Sequence, residues 1–412
     1  MKVGITIRTF YPQSGGLQAH AEKLAKELIA NGHQVTIVTR SVSHTPSYQD
    51  YFFFSESISK TNINGLDVDV LKHSPVFHGL MWVISKCIGR PSLRKFAIQL
   101  VELIFTQQLV NILQEVDVIH HVGQAHELIG FAAAAAAHNL KIPFLIQPTL
   151  HPGQWGDSPL DLHLYNLADH LLVHSKFEQN CLKKAGITGS FHVVGNGIDN
   201  CTSGDADCFR KKYGIDGDII LFLGRKTIDK GYSLVKEAFN LTLTQYKDTS
   251  LVCMGPSVVK SNDKIEGGIL ELGFGTEQEK HDAIAACKIL CVPSEGESFG
   301  LVYMEAGLYS KPIIARKLPV LAELLGEQEA ALLIGKAYGE NNQVNLDAKE
   351  LSSAMLKLLN DSDLSIKIGE NAYRVAREFL WSKIVIRFEA AYRQAIANNI
   401  TQYHKETKIA QI

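Results

Sequence analysis

Little in the 412 residues suggests a membrane anchor, a disulfide framework or a nucleic-acid surface. Charged residues make up 20% and the formal net charge is −2, so no global basic field holds nucleic acid or an anionic membrane. No stretch reads as the roughly 18–20 consecutive apolar residues of a membrane helix. The opening MKVGITIRTFYPQSGG loses its apolar run at Arg8, too early for a signal-peptide core, and reads instead as a first buried strand. The alanine-rich stretch 131–137 is short and gives way to His138 and Asn139.

Cysteine is sparse and unpatterned. The seven thiols, Cys87, Cys181, Cys201, Cys208, Cys253, Cys287 and Cys291, are odd in number and scattered. That excludes a disulfide scaffold and suggests reduced thiols in a cytoplasmic protein. Cys287 and Cys291 lack the second pair a structural metal needs. Also missing are G-x-G-x-x-G, an acidic residue closing the second strand (it ends Thr39-Arg40) and H-E-x-x-H. These absences argue against a nicotinamide, flavin or zinc-protease centre. Asp67-Val68-Asp69 matches a D-x-D metal string but sits in a polar stretch away from the phosphate-type loops. No metal and no cofactor are expected.

What is present is a repeated α/β pattern. Residues 3–7, 34–39, 117–121, 142–147 and 170–174 are apolar or β-branched on both faces, as buried parallel strands are. The helical stripe Leu17, Ala21, Leu24, Leu28 lies between the first two and stops at Asn31-Gly32. Residues 218–224, 250–254, 268–272, 288–292 and 312–315 repeat the scheme, with helices at 234–244 and 301–308. Two Rossmann-like doubly wound domains follow, facing across a cleft: 1–197 and 198–375, with 376–412 helical and packing back on the first. The apolar stretch 75–116 resists the pattern. It reads either as a helical insertion packed on the first domain or as an amphipathic surface for a membrane or lipid acceptor.

Four segments carry chemistry. In Pro293-Ser294-Glu295-Gly296-Glu297-Ser298-Phe299-Gly300-Leu301-Val302-Tyr303-Met304-Glu305 a strand ends, a polar loop follows and a helix begins. Free amides at a helix start favour a phosphate, and two carboxylates eight residues apart could bracket an extended ligand about 12 Å long if the segment is mostly helix. In Gly224-Arg225-Lys226-Thr227-Ile228-Asp229-Lys230-Gly231, Arg225 and Lys230 could clamp a diphosphate. Gly15-Gly16 allows close approach of a ligand to the backbone. His120 and His121 close a strand of the first half, His126 follows it and His151 follows the next, so each could face the cleft.

Together these residues resemble the GT-B retaining glycosyltransferases of family four, the group of sucrose and glycogen synthases and bacterial mannosyltransferases. The resemblance spans nearly the whole chain. It covers Gly15-Gly16, Asn31-Gly32-His33, Gly195-Asn196-Gly197-Ile198-Asp199, Gly224-Arg225 to Lys230-Gly231, Leu272-Gly273-Phe274 and the E-x(7)-E stretch Glu297 to Glu305. It implies a hexose transferred from a UDP- or GDP-sugar to an acceptor sugar, lipid-linked sugar or small alcohol. Glu297 would contact the hexose and Glu305 the ribose. Arg225, Lys230 and the backbone of Gly16, Gly300, Leu301 and Val302 would bind diphosphate, with Ser298 and Phe299 in the same loop. Gly273 and Phe274 would meet the base. A first-domain histidine would lie by the donor sugar; His126 is favoured over His120 and His121, which with His151 stand as acceptor-side candidates. Two other readings share the architecture: a nucleotide-sugar epimerase or hydrolase, and a silent nucleotide-sugar-binding protein. The expected location is cytoplasmic, with peripheral contact at the inner membrane face left open.

Overall fold

The computed structural model describes residues 1–10, 16–42, 50–74, 77–200, 202–256, 262–273, 275–338 and 343–409. The chain divides into two compact units, Met1–Gly195 with Ser382–Ile412, and Asn196–Trp381.

The first unit is built on an eight-stranded sheet. Its strands are β1 (Lys2–Thr6), β2 (Gln34–Thr39), β3 (Lys60–Ile63), β4 (Leu66–Val70), β5 (Val118–Val122), β6 (Phe144–Gln147), β7 (His170–Val173) and β8 (Ser190–Val193). Their order is β3-β4-β2-β1-β5-β6-β7-β8, parallel except for the antiparallel β3–β4 pair. β5, β6 and β7 are buried along their whole length, which explains their unbroken apolar reading. The sheet reverses direction of growth between β1 and β5, the place where doubly wound sheets bind ligands beyond the carboxyl ends of their strands.

Asp67-Val68-Asp69 lies inside β4, not in a polar loop, and Val68 is 1% exposed. The hairpin turns at Asn64 and Gly65, both at positive φ (52° and 85°). Residues 75–116 hold two helices, His78–Cys87 and Arg94–Leu113, with Pro75 and Val76 outside the described residues. By length and composition Arg94–Leu113 is long and apolar enough to cross a membrane, contrary to the sequence expectation. Here its Ala97, Val101, Phe105, Leu109 and Leu113 are 0% exposed and belong to the core of the unit.

The second unit repeats the design on a seven-stranded sheet, beside a two-stranded one of Lys336–Tyr338 and Gln343–Asn345. The seven strands are β9 (Asp218–Leu223), β10 (Thr249–Met254), β11 (Asn262–Glu266), β12 (Ile269–Leu272), β13 (Ile289–Val292), β14 (Ile313–Arg316) and β15 (Leu332–Ile334). The order is β11-β12-β10-β9-β13-β14-β15, with only β11 antiparallel to its neighbour. The reversal falls between β9 and β13, so the residues after those two strands share one edge. Fold class is therefore α/β, with a Rossmann-like sheet in each unit.

Candidate active site

The segments after β9 and β13 are bonded into one structure. Glu295 N donates to Asp229 O at 2.8 Å. Gly231, at φ 74°, lies so close to this loop that a Cβ there would meet Pro293 O at 2.7 Å. Only glycine satisfies both the backbone sign and the approach. Across this joint Lys230 Nζ donates to Glu297 Oε1 at 2.6 Å and to Ser294 Oγ at 3.2 Å. The lysine and glutamate side chains are 18% and 11% exposed. Two of the predicted residues, 67 positions apart in sequence, therefore meet directly.

Arg225 is placed differently. Its side chain is 64% exposed and its Nη2 pairs with Asp229 Oδ2 at 3.3 Å. Asp229 thus supports Arg225 through its carboxylate and the 293–300 loop through its carbonyl.

Gly300 sits at the start of the helix Leu301–Leu308 in the left-handed region (φ 88°, ψ 61°), with no side chain capping the helix. A Cβ there would lie 2.5 Å from the Tyr303 ring. An uncapped start leaves amides free to meet an anion, and the helix dipole favours one. Because the helix begins only at Leu301, the spacing of Glu297 and Glu305 is not a single helical rise. The helical part, Leu301 to Glu305, advances about 6 Å, and the rest is loop. Glu305 Oε1 accepts from Lys280 Nζ at 2.9 Å, and Lys280 also holds Glu277 at 2.6 Å. Burial opposes the charge on Lys280, but these two carboxylates outweigh it and raise its pKa.

Phe299, expected among the donor contacts, is 1% exposed and packs edge-to-face on Phe379 at 4.9 Å. Its ring is core, so only its backbone is available to a ligand. Ser298, Leu301 and Val302 are half-buried. Gly273 accepts from Gly255 N at 3.1 Å beyond β12. Phe274 lies outside the described residues, as does Gly15.

A cluster that sequence reasoning missed adjoins this edge. Lys226, with its side chain 2% exposed, bonds Glu271 at 2.7 Å, and Lys236 reaches the same carboxylate at 2.9 Å. Tyr232 donates to it as well. Burial pushes the Glu271 carboxyl up, but these donors outweigh it and hold the pKa below the usual value. Burial and Glu271 push the Tyr232 phenol up to about 12. Lys226 stands next to Arg225 in the motif, yet nothing local in the sequence points to Glu271, 45 positions on.

In the first unit Gly16 opens the helix Gly16–Ala30 after β1. His120 and His121, expected on the acceptor side, are instead interior: both are 0% exposed. His120 Nδ1 bonds the Tyr392 hydroxyl at 2.8 Å, and His121 Nδ1 lies 3.1 Å from Thr6 O. Burial lowers both pKa values, His121 to about 4, so each ring stays neutral near pH 7. These side chains face the core because β5 is buried on both faces. His126 is exposed on the short helical turn Ala125–Glu127 that follows β5. His151 stacks on Trp155 at 3.7 Å. A further buried chain was not foreseen: His20 Nε2 to Gln147 Oε1 (3.0 Å) and Gln147 Nε2 to His174 Nε2 (2.8 Å).

Comparison with known proteins agrees with this architecture. The family described as Glycosyltransferase Family 4 matches residues 14–200, and Glycosyl transferases group 1 matches residues 205–375. A D-inositol 3-phosphate glycosyltransferase of Corynebacterium glutamicum is 31% identical over 193 residues, 44% of each chain, so the match spans under half of that relative. An uncharacterized glycosyltransferase of Methanocaldococcus jannaschii is 24% identical over 93% of this chain and 96% of its own. Among solved structures, Anabaena HepE in complex with UDP and glucose aligns with TM-score 0.65 and 18% identity, over 97% of this chain and 99% of that one. With a family match on each of its two sheets, the chain belongs to the GT-B glycosyltransferases of the group 1, family four type.

Proposed function

We propose that the chain transfers a hexose from a UDP- or GDP-sugar to an acceptor hydroxyl with retention of configuration and without an obligatory metal. The observation that carries this reading is the bond of Lys230 to Glu297 and Ser294 beside the uncapped start of Leu301–Leu308. It gathers a cation, a carboxylate and backbone amides at one edge of the second sheet.

Breaking the sugar–phosphate bond develops positive charge at the anomeric carbon and negative charge on the departing diphosphate. Lys230, Arg225 and the Leu301 and Val302 amides would hold that diphosphate, each well-placed donor contributing roughly 3–4 kcal/mol to the transition state. Diphosphate on Lys230 would compete with Glu297, releasing that carboxylate to accept from hexose hydroxyls. Glu305, steadied by Lys280, would accept from the ribose hydroxyls. The Gly273 backbone would meet the base. With the cations and helix start neutralising the leaving group, a metal has no necessary part. The acceptor hydroxyl attacks the face the diphosphate leaves, and a phosphate oxygen takes its proton.

The acceptor, a sugar, lipid-linked sugar or small alcohol, would be bound by the first unit, whereas His126 and the Gly16 backbone are proposed for the donor. That HepE was solved with UDP and glucose, and that the Corynebacterium relative is named for an inositol phosphate, supports a sugar-nucleotide donor and a hydroxyl acceptor. A cytoplasmic location belongs to the same reading. The test is a screen of nucleotide sugars with excess chelator, reading UDP or GDP release, followed by the anomeric configuration of the product. Release from one donor with retained configuration is expected. Stabilisation by a nucleotide diphosphate with no release from any donor would contradict it and indicate a binding protein.

A further inference from the structure

The first unit contains a cavity of about 270 Å³ that shares only His126 with the proposed chemistry. Phe52, Ile88, Leu128 and Leu160 form its apolar walls, and Arg94 and His126 are its ionisable lining. No carboxylate lines it among the described residues. Arg94 has an Nε that is buried without a hydrogen-bond partner among the described residues. Arg94 is half-buried, and a charged group with one nitrogen lacking an acceptor is suited to an anion. His126 and Leu128 follow β5, and Leu160 follows β6, so the cavity lies at the carboxyl edge of the first sheet, where doubly wound sheets take ligands. A volume just below the usual range for ligand sites suits a head group and the first carbons of a chain.

The chain around Ile88 and Arg94 has the same dual character. Trp82, Leu93 and Phe96 are 57%, 37% and 50% exposed, and Lys86, Arg90 and Lys95 stand in the same stretch of chain as Ile88 and Arg94. Exposed aromatic residues interspersed with cations suit an anionic amphiphile.

We infer that this cavity binds an amphiphilic phosphate ester, with its phosphate on Arg94 and its apolar part against Phe52, Ile88, Leu128 and Leu160. That this ligand is the sugar acceptor rests on the transferase reading; its binding does not.

The test uses the full chain and calorimetric titration with monomeric dihexanoyl phosphatidic acid and, separately, glycerol 3-phosphate. Saturable binding of the amphiphile is expected, at least tenfold tighter than glycerol 3-phosphate. Arg94→Gln should weaken it by about tenfold or more. Leu160→Trp should abolish it by filling the cavity, and Lys349→Gln, at an exposed position of the second unit, should leave it unchanged. If Leu160→Trp does not fold, Arg94→Gln alone decides. No saturable binding, equal binding of glycerol 3-phosphate, or an unchanged affinity in Arg94→Gln would overturn the inference. Co-sedimentation with phosphatidylcholine vesicles containing phosphatidic acid, lost in Arg94→Gln, would assign the ligand to a bilayer. Monomer binding without co-sedimentation would assign it to a dissolved ester. Release of UDP or GDP by the wild-type protein without acceptor tests the transferase reading separately. Amphiphile binding without release leaves the cavity standing, whereas release without amphiphile binding overturns it.

Discussion

Replacing Lys230 by alanine should affect stability and turnover through separate causes, and the two can be told apart. The Lys230–Glu297 contact is 2.6 Å between side chains 18% and 11% exposed. Truncating the lysine leaves Glu297 with a largely buried charge and takes the donor from Ser294 Oγ, which is itself in a residue 0% exposed. Removing one partner of a fully buried pair costs about 3–5 kcal/mol. A charged hydrogen bond with some solvent access is worth about 1.5–3 kcal/mol. The residual exposure here favours the lower figure, about 2 kcal/mol. For a unit of 150–250 residues that corresponds to a fall of roughly 4–8 °C in melting temperature. Turnover should fall further, by about 10²–10³, because in the proposed reaction Lys230 would hold the leaving diphosphate. Adding Glu297→Gln to Lys230→Ala removes the stranded charge. The double variant should regain most of the melting temperature and none of the turnover. Calorimetry and a UDP- or GDP-release assay measure the two quantities on the same preparation. Wild-type turnover in Lys230→Ala, or turnover regained with stability in the double variant, would refute the reasoning.

Arg225→Ala should shift the melting temperature by no more than about 1 °C, since its exposed pair with Asp229 is of the weak surface class. Its turnover should nonetheless drop at least about tenfold in the same release assay. Glu305→Gln should raise the donor KM by about tenfold or more with a smaller change in kcat, and titration calorimetry with the nucleotide diphosphate should show the matching loss. Acidification should destabilise the first unit through His121. Burial lowers its folded pKa to about 4, so its contribution is full above the unfolded value of 6.5 and lost as pH falls through 4. Glu127 and Glu178, raised to about 7 by burial, act oppositely, losing their contribution as pH rises from about 4.5 to 7. Comparing the unfolding free energies of wild type and His121→Gln between pH 6.5 and 4 isolates the histidine, and the gap should change by up to about 3 kcal/mol.

The sequence made the inner parallel strands legible because they are apolar on both faces, whereas the edge strands β8, β11 and β15 went unread, β8 and β15 being only partly buried. The hairpin of β3 and β4 was missed despite Asn64-Gly65, a strong turn signal, because Asp67 and Asp69 gave the strand a polar face. E-x(7)-E and the paired cations could be read locally. That Lys230 pairs with Glu297, or that Glu271 gathers Lys226, Tyr232 and Lys236, depends on β9 lying between β10 and β13, which spacing does not encode. His120 and His121 misled for a related reason. Closing a strand suggests an exposed edge, but these two lie within β5, and the buried helix face of Phe388 and Tyr392 covers His120.

A crystal structure of the chain with UDP or GDP bound would show where the diphosphate lies. The terminal phosphate is expected within hydrogen-bonding distance of Lys230 Nζ and of the Leu301 and Val302 amides, with Glu297 displaced from the lysine. A nucleotide bound with the Lys230–Glu297 bond intact, or with its phosphates away from the Gly300 turn, would contradict this placement.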